Sequence, residues 1–215
     1  MIYFASDMHA ECRDALIEYE KVATENDLLI ILGDLGLRFR DTEENRAFDE
    51  FFYSLTATIA LVDGNHENHP FINSHPTEQW HGGAVHRLSK NAVHLIRGNV
   101  YSIEGKTFLA MGGCKSSDIW KERGLLFDGE EPTPDEINLA YKNLSEREID
   151  VILTHKYETA NCESAPRDSL DGFIHYLKCN PTYKLWVSGH WHGERSLSEK
   201  CVCVYDKLRT LGELI

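Results

Sequence analysis

Thr58-Ile59-Ala60-Leu61-Val62-Asp63-Gly64-Asn65-His66-Glu67 is the stretch on which the fold turns. Five residues rich in β-branched and aliphatic side chains are too few for a buried helix and the usual length of a buried strand. Asp63-Gly64 is turn chemistry that stops the strand. Asn65-His66, placed directly after it, has little packing purpose. The same syntax occurs twice upstream. Ile2–Ser6 is an apolar run ending at Asp7, and Leu28–Leu32 is another ending at Gly33-Asp34. Helical spacing of apolar positions fills the gaps, over Glu11–Glu25 and Thr42–Leu55. Alternation of strand and helix predicts βαβ units and a largely parallel sheet.

Further along, the pattern changes. Val85–Leu88, Ala92–Ile96, Val100–Ile103 and Thr107–Met111 are short runs broken by Asn, Gly and Lys, as in an antiparallel meander. Residues 114–133 have few periodic apolar positions and read as an irregular loop, and residues 114–136 are expected to form much of the substrate rim, with Lys115, Ser116, Ser117, Asp118 and Arg123 on it. Thr133-Pro134-Asp135-Glu136 then opens a helix, with a Thr cap, Pro at the first helical position and Glu three after the cap. Val151–Leu153, Leu185–Ser188 and Cys201–Tyr205 are the remaining strands, with a helix near Leu170–Lys178. No repeat or linker is visible, so residues 1–215 read as a single domain.

The chain has 215 residues, 42% of them hydrophobic and 27% charged, the composition of an ordinary globular protein. No stretch reaches the ~20 apolar residues that span a bilayer. The start, MIYFASDMHAE, has no basic region and no small-residue cleavage site, so a cytoplasmic location is expected. The six cysteines lack any CxxC pair, and Cys201 and Cys203 are two apart in one strand. Reduced thiols are expected. The net charge of −13 opposes binding to long duplex nucleic acid. Arg87, Lys90, Arg97 and Lys106 face one acid, Glu104, between Val85 and Phe108, and read as a solvated hairpin surface. A nuclease role through that segment is the weaker alternative.

Eleven histidines are many for this length. Several follow strands, alongside acids and an amide: Asp7 and His9 (DMH), Asp34 (GD), Asn65 and His66 (GNHE), His155 (TH), and His190 and His192 (GHWH). Ligands at the carboxyl ends of strands are where open α/β sheets carry their sites. Asp-x-His and His-x-His can each aim two side chains at one ion. Asp34 directly after a glycine, where backbone approaches closely, reads as a carboxylate bridging two cations. Each fragment alone has a bland reading as a turn or a structural histidine. All five in order, each after an apolar run, do not. Of the rest, His69, His75, His81, His86, His94 and His175 read as surface or hydrogen-bonded residues, and Trp120 and Trp191 as packing residues.

These motifs resemble those of the calcineurin-like metallophosphoesterases, whose pattern is D-x-H, GD, GNH[DE], a strand-terminal H, and GHxH. The match runs from Asp7 to His192. A narrower likeness to small single-domain bacterial members rests on the VDGNHEN run and the MGGCKSSDI segment. The resemblance implies an α/β fold of two packed mixed β-sheets, a sandwich flanked by helices in four layers, with the metals at one sheet edge. It implies one ion held by Asp7, His9, Asp34 and His192, and a second by Asp34, Asn65, His155 and His190. Mixed oxygen and imidazole ligands suit Mn²⁺, Fe or Zn²⁺ without choosing among them; two divalent ions are expected, Mn²⁺ ahead of Fe or Zn²⁺. The expected reaction is hydrolysis of a phosphomonoester or phosphodiester, small molecule or nucleotide, by a metal-bridging hydroxide. Asp34 and His66 carry the catalysis, with His66 as general acid to the leaving oxygen, and Asn65 and Arg38 contact substrate. Arg38 stands at the offset where protein serine/threonine phosphatases place a phosphate-holding arginine. The second acid of that branch is replaced by Leu37, its D-x-H-G glycine by Ala10, and the second histidine of GHWH is foreign to it. Asp63, Glu67 or Asp41 is left to orient His66. The alternatives are a phosphoserine/threonine protein phosphatase and a non-catalytic metal-binding interaction module.

Overall fold

In the computed structural model, which describes residues 1–117, 120, 122, 126–157 and 168–215, the run Leu28–Leu32 forms β2 with every residue buried. Asp118, Arg123 and Cys162 lie outside the described residues. A strand buried on both faces must be covered on both. Leu28, Ile30 and Leu32 point into the core between two sheets. Leu29 and Ile31 point the other way, against Leu16, Tyr19, Phe48 and Phe52.

The element order is β1 (Ile2–Ala5), α1 (Asp14–Val22), β2, α2 (Glu43–Ser54), β3 (Thr58–Val62), α3 (His69–Asn73), β4 (Thr77–Trp80), β5 (Gly83–Arg87), β6 (Ala92–Leu95), β7 (Val100–Ile103) and β8 (Lys106–Met111). There follow α4 (Pro134–Glu146), β9 (Val151–Thr154), α5 (Ser169–Cys179), β10 (Leu185–Ser188), β11 (Arg195–Ser198), β12 (Cys201–Cys203), β13 (Arg209–Thr210) and α6 (Leu211–Leu214). One sheet runs β13-β1-β2-β3-β6-β5-β4 and the other β11-β12-β10-β9-β8-β7. In each, the central strands β1, β2, β3, β6 or β12, β10, β9, β8 are parallel and the flanking strands antiparallel. Helices α1 and α2 cover the outer face of the first sheet. Ile137 and Ala140 of α4 and Phe173, Ile174 and Leu177 of α5 cover Leu109, Ile152 and Trp186 of the second. The result is the expected α/β sandwich of two mixed sheets between helices.

The central run is not one meander. β5 pairs with β6 in the first sheet, and β7 with β8 in the second. The chain changes sheets between them because β6, buried along its whole length, is taken up beside β3 as a parallel strand. The basic-surface reading also needs correction. Arg97 is 5% exposed and donates from Nε to Asp63 Oδ2 at 2.9 Å, while Arg87 pairs with Glu78. The expected α4 cap is present in full: the Thr133 hydroxyl accepts from the Glu136 N–H, and the Glu136 carboxylate accepts from Thr133. Among the described residues, no helix is long and apolar enough to cross a membrane.

Candidate metal centre

Asp7, Asp34 and Asn65 leave the carboxyl ends of β1, β2 and β3, and His155 and His190 leave β9 and β10. All five strands are interior to their sheets. The site therefore spans the ends of the central strands of both sheets; the expectation of a sheet edge is corrected on this point. Parallel strands side by side deliver their carboxyl ends to one place, which edge strands do not.

The backbone bends sharply there. Asp7, His9, Asp34, His190 and His192 all have left-handed conformations, with φ of 59°, 51°, 54°, 74° and 45°. Asp and His tolerate this region better than most residues, and such bends collect at functional sites. A Cβ on Gly64 would overlap the Asp34 carboxylate, and one on Gly33, at φ +90°, would overlap the His155 ring. Both glycines are needed for the ligand-bearing turns to close up. Further bonds tie the turns together: the His66 N–H donates to Asp34 Oδ1 at 2.7 Å and the His190 N–H to Asp7 Oδ2 at 2.9 Å. Buried Glu67 accepts from the Leu35 and Gly36 N–H groups at 2.8 and 3.2 Å, clamping the loop after Asp34.

Two groups of side chains converge. Ligand atoms of Asp7, His9, Asp34 and His192 lie within 4.8 Å of one another, as do those of Asp34, His155 and His190. Asp34 belongs to both. His9 Nε2 is 2.9 Å from His192 Nε2, and His190 Nδ1 is 3.2 Å from His155 Nε2. His155 Nδ1 lies 2.7 Å from the Leu32 carbonyl, which can only accept, so Nδ1 carries the proton and Nε2 faces Asp34 at 3.4 Å. Two buried oxygens, Asp7 Oδ1 and Asn65 Oδ1, have no hydrogen-bond partner among the described residues. Anionic or carbonyl oxygens left unpaired beside convergent imidazoles suit a divalent cation, so the donor set fits a metal site.

The electrostatics divide the ligands: burial raises the Asp7 carboxyl, while burial alone would lower His155, but the charge and hydrogen bond of Asp34 outweigh it and raise His155 to about 10. Burial alone would raise the Asp34 carboxyl, but the charge and hydrogen bond of His155 outweigh it and hold Asp34 well below the usual carboxylate range. Burial lowers His9, and it takes His190 to about 3, with the charge of His155 adding to the effect. Ionised carboxylate and neutral imidazole are the ligating forms, which these shifts favour at Asp34, His9 and His190; a cation would have to displace the proton of His155. Burial, reinforced by the charge of Asp34, pushes Glu67 up to about 8.

The His66 ring stands edge-on to Trp120, His9 and Phe39, with centroids 4.7, 5.1 and 5.2 Å away. Among the described residues, none of the three acids proposed to orient it does so. Glu67 holds the Asp34 loop, Asp41 is exposed and pairs with Arg46, and Asp63 is enclosed by Arg97, His94 and His69. The cleft, of about 610 Å³, is lined by the candidate ligands other than fully buried His155, and by His66, Arg40, Lys115, Ser116, Trp120 and Tyr205. Arg38 instead lies 4.7 Å over the Phe71 ring, on an adjoining groove. Trp191 donates to the Tyr157 carbonyl and packs under Arg195.

Sequence reasoning missed several of these roles. Ser116, expected only on the substrate rim, accepts from the Asn65 amide at 3.0 Å. Tyr205 stacks on His192 at 5.5 Å and 12°, and nothing in its sequence context marks it. Arg40 sits two residues past Arg38 in the same loop and was legible as a second cation there.

A carboxylate shared by two groups of candidate ligand atoms at the strand ends of an α/β/β/α sandwich is the arrangement of a metal-dependent hydrolase. The family model for calcineurin-like phosphoesterases matches residues 1–194, and the chain belongs to that family of metal-dependent phosphoesterases. No curated protein matches it in sequence. Among solved structures it is similar to a phosphopantetheinyl hydrolase from Mycobacterium tuberculosis, at 16% identity and TM-score 0.48, over 94% of this chain and 86% of that one. It is also similar to a protein of unknown function from Aquifex aeolicus, at 14% identity and TM-score 0.48, over 97% of this chain and 94% of that one.

Proposed function

We propose that the protein is a dinuclear phosphoesterase acting on small phosphomonoesters or phosphodiesters, nucleotides included. The observation that carries this is Asp34, whose carboxylate is shared by both groups of ligand atoms. Asp7, His9, Asp34 and His192 hold one ion; Asp34, Asn65, His155 and His190 hold the other, with Mn²⁺ ahead of Fe and Zn²⁺. Bound there, the cations supply an activated water and neutralise the phosphoryl oxygens.

The chain's own residues do the rest. The Asn65 amide nitrogen donates to Ser116, and its buried oxygen, without a hydrogen-bond partner among the described residues, is free to ligate. As the ester P–O bond breaks, His66 gives a ring proton to the leaving oxygen. The Phe39 and Trp120 rings flank the His66 ring edge-on and orient it. Asn65, Arg38 and Arg40 contact the substrate. A cleft of about 610 Å³ is in the range of small-molecule sites, and the charge of −13 weighs against long duplex nucleic acid. The core shared between the two sheets supports one domain over residues 1–215. Free thiols at Cys12, Cys114, Cys179, Cys201 and Cys203 support a cytoplasmic setting.

The test uses protein stripped by chelator and reloaded with Mn²⁺. Hydrolysis of bis(4-nitrophenyl) phosphate should rise with metal, saturate near two ions per chain, and vanish on chelation. Full activity in the Asp34→Asn variant would refute the proposal.

A further inference from the structure

Beside the metal cleft lies a second and larger concavity, of about 820 Å³, between the loop after Asp34 and α2. Arg40 lines both, so the two adjoin. Three arginines reach this groove, Arg38, Arg40 and Arg46, with Tyr53, 37% exposed, beside them. α2 holds the loop in place. The Asn45 amide donates to the Gly36 carbonyl at 3.1 Å and its oxygen accepts from the Arg40 N–H at 2.8 Å, while Asp49 accepts from the Arg38 N–H at 3.1 Å. Arg38 adopts φ of 49°, a bend held by this bracing together with the Asn68 amide, which donates to the Arg38 carbonyl at 2.8 Å.

The braced loop thus presents two guanidinium groups without a carboxylate partner among the described residues, Arg38 resting on the Phe71 ring. Among the described residues, neither the Arg38 nor the Arg40 guanidinium forms an ion pair, and Arg46 meets only Asp41, whose side chain is 95% exposed. Of the groove's acids, Asp41 pairs with Arg46, Asp49 accepts from the Arg38 N–H and from Asn45 while its charge acts on the Arg38 guanidinium, and Glu50 is the third. Guanidinium groups held apart on rigid backbone are suited to phosphate oxygens. His66 faces this side: its ring meets Phe39, the residue between Arg38 and Arg40.

We propose that the groove is a second anion subsite, and that the preferred substrate is a phosphoester whose leaving alcohol carries a further phosphate. This rests on the phosphoesterase reading above. With one phosphoryl group at the ligand cluster and its leaving oxygen at His66, the alcohol runs past Phe39 and places its own phosphate among the arginines. A ring on that alcohol packs on Tyr53. Water adds to the reacting phosphorus, the ester P–O bond breaks, and the leaving oxygen takes the proton. The second phosphate is unchanged.

A matched pair of substrates tests this: adenosine 3′,5′-bisphosphate, whose leaving alcohol bears a phosphate, and adenosine 3′-monophosphate, whose leaving alcohol does not. The expected kcat/KM ratio favours the bisphosphate by at least about tenfold, the worth of one charge-assisted hydrogen bond. In Arg38→Ala and in Arg46→Ala that ratio falls about tenfold or to unity. Equal kcat/KM for the two substrates, or a ratio unmoved in both variants, overturns the subsite. A second readout needs no turnover: calorimetric titration of chelator-treated protein with adenosine 5′-monophosphate, which should bind the native chain and several-fold more weakly the Arg38→Ala chain. If neither nucleotide nor a nitrophenyl diester is hydrolysed, the phosphoesterase proposal fails by itself, and the titration alone decides the groove. No binding, or equal binding by the variant, then overturns it.

Discussion

Removing the guanidinium beside Asp63 in an Arg97→Met variant perturbs the part of the molecule that holds the Asn65-His66 turn from behind. Asp63 directly precedes Gly64. Its carboxylate is 1% exposed and bonded to Arg97 and to His94 Nε2, the latter at 3.0 Å. Burial by itself would raise this carboxyl, but the charges of Arg97 and His94 outweigh it and hold it far below its usual range. Its contribution to stability is therefore present in full above the unfolded value near 3.9 and lost as the pH falls below it. Methionine keeps the bulk and removes the charge. Breaking a buried pair at one partner costs about 3–5 kcal/mol, which at about 2–4 °C per kcal/mol for a chain of this length lowers Tm by about 6–20 °C. With Arg97 gone, burial dominates and the Asp63 carboxyl titrates above its unfolded value. The penalty is then largest at high pH and relaxes on acidification. The assay is thermal unfolding followed by circular dichroism on chelator-treated wild-type and variant protein at pH 8 and pH 5, since bound metal would mask the difference. The Tm gap should be wider at pH 8, and adding Asp63→Asn to Arg97→Met should recover part of it. A variant as stable as the native chain, or a gap that widens at pH 5, would refute the reasoning.

Two further outcomes follow from the site. His66→Ala should lower kcat by about 10²–10⁴, the usual worth of a positioned general acid, with metal content by elemental analysis unchanged; loss of metal would make His66 a ligand instead. Gly64→Ala drives a methyl group into the Asp34 carboxylate and should cost at least about 100-fold in kcat/KM together with metal affinity, read by competition with a chromogenic chelator.

The central strands were legible because they are buried on both faces, so β1, β2, β3, β9 and β10 read as unbroken apolar runs, and the ligands follow where those runs stop. The flanking elements carry no such mark. β4 is exposed over Thr77–Gln79 and shows no apolar alternation, α3 spans five residues, and β13 spans two. Their formation depends on neighbours far away in sequence. Arg97 was misread for the same reason: among basic neighbours it looks like surface, and only the fold brings it to Asp63, 34 residues earlier. The change of sheet between β6 and β7 is likewise a property of which partner strand is free. In the site, residue types and order announced the ligands. What supports them, Ser116 on Asn65, Glu67 on the Asp34 loop and Tyr205 on His192, involves residue types common everywhere, and distance alone gives them roles.

Anomalous diffraction from crystals grown with Mn²⁺ addresses the shared carboxylate most directly. Two peaks about 3.5–4 Å apart, each within bonding distance of Asp34, with His9 and His192 on one and His155 and His190 on the other, are predicted. A single peak, or a pair that Asp34 does not bridge, would contradict it.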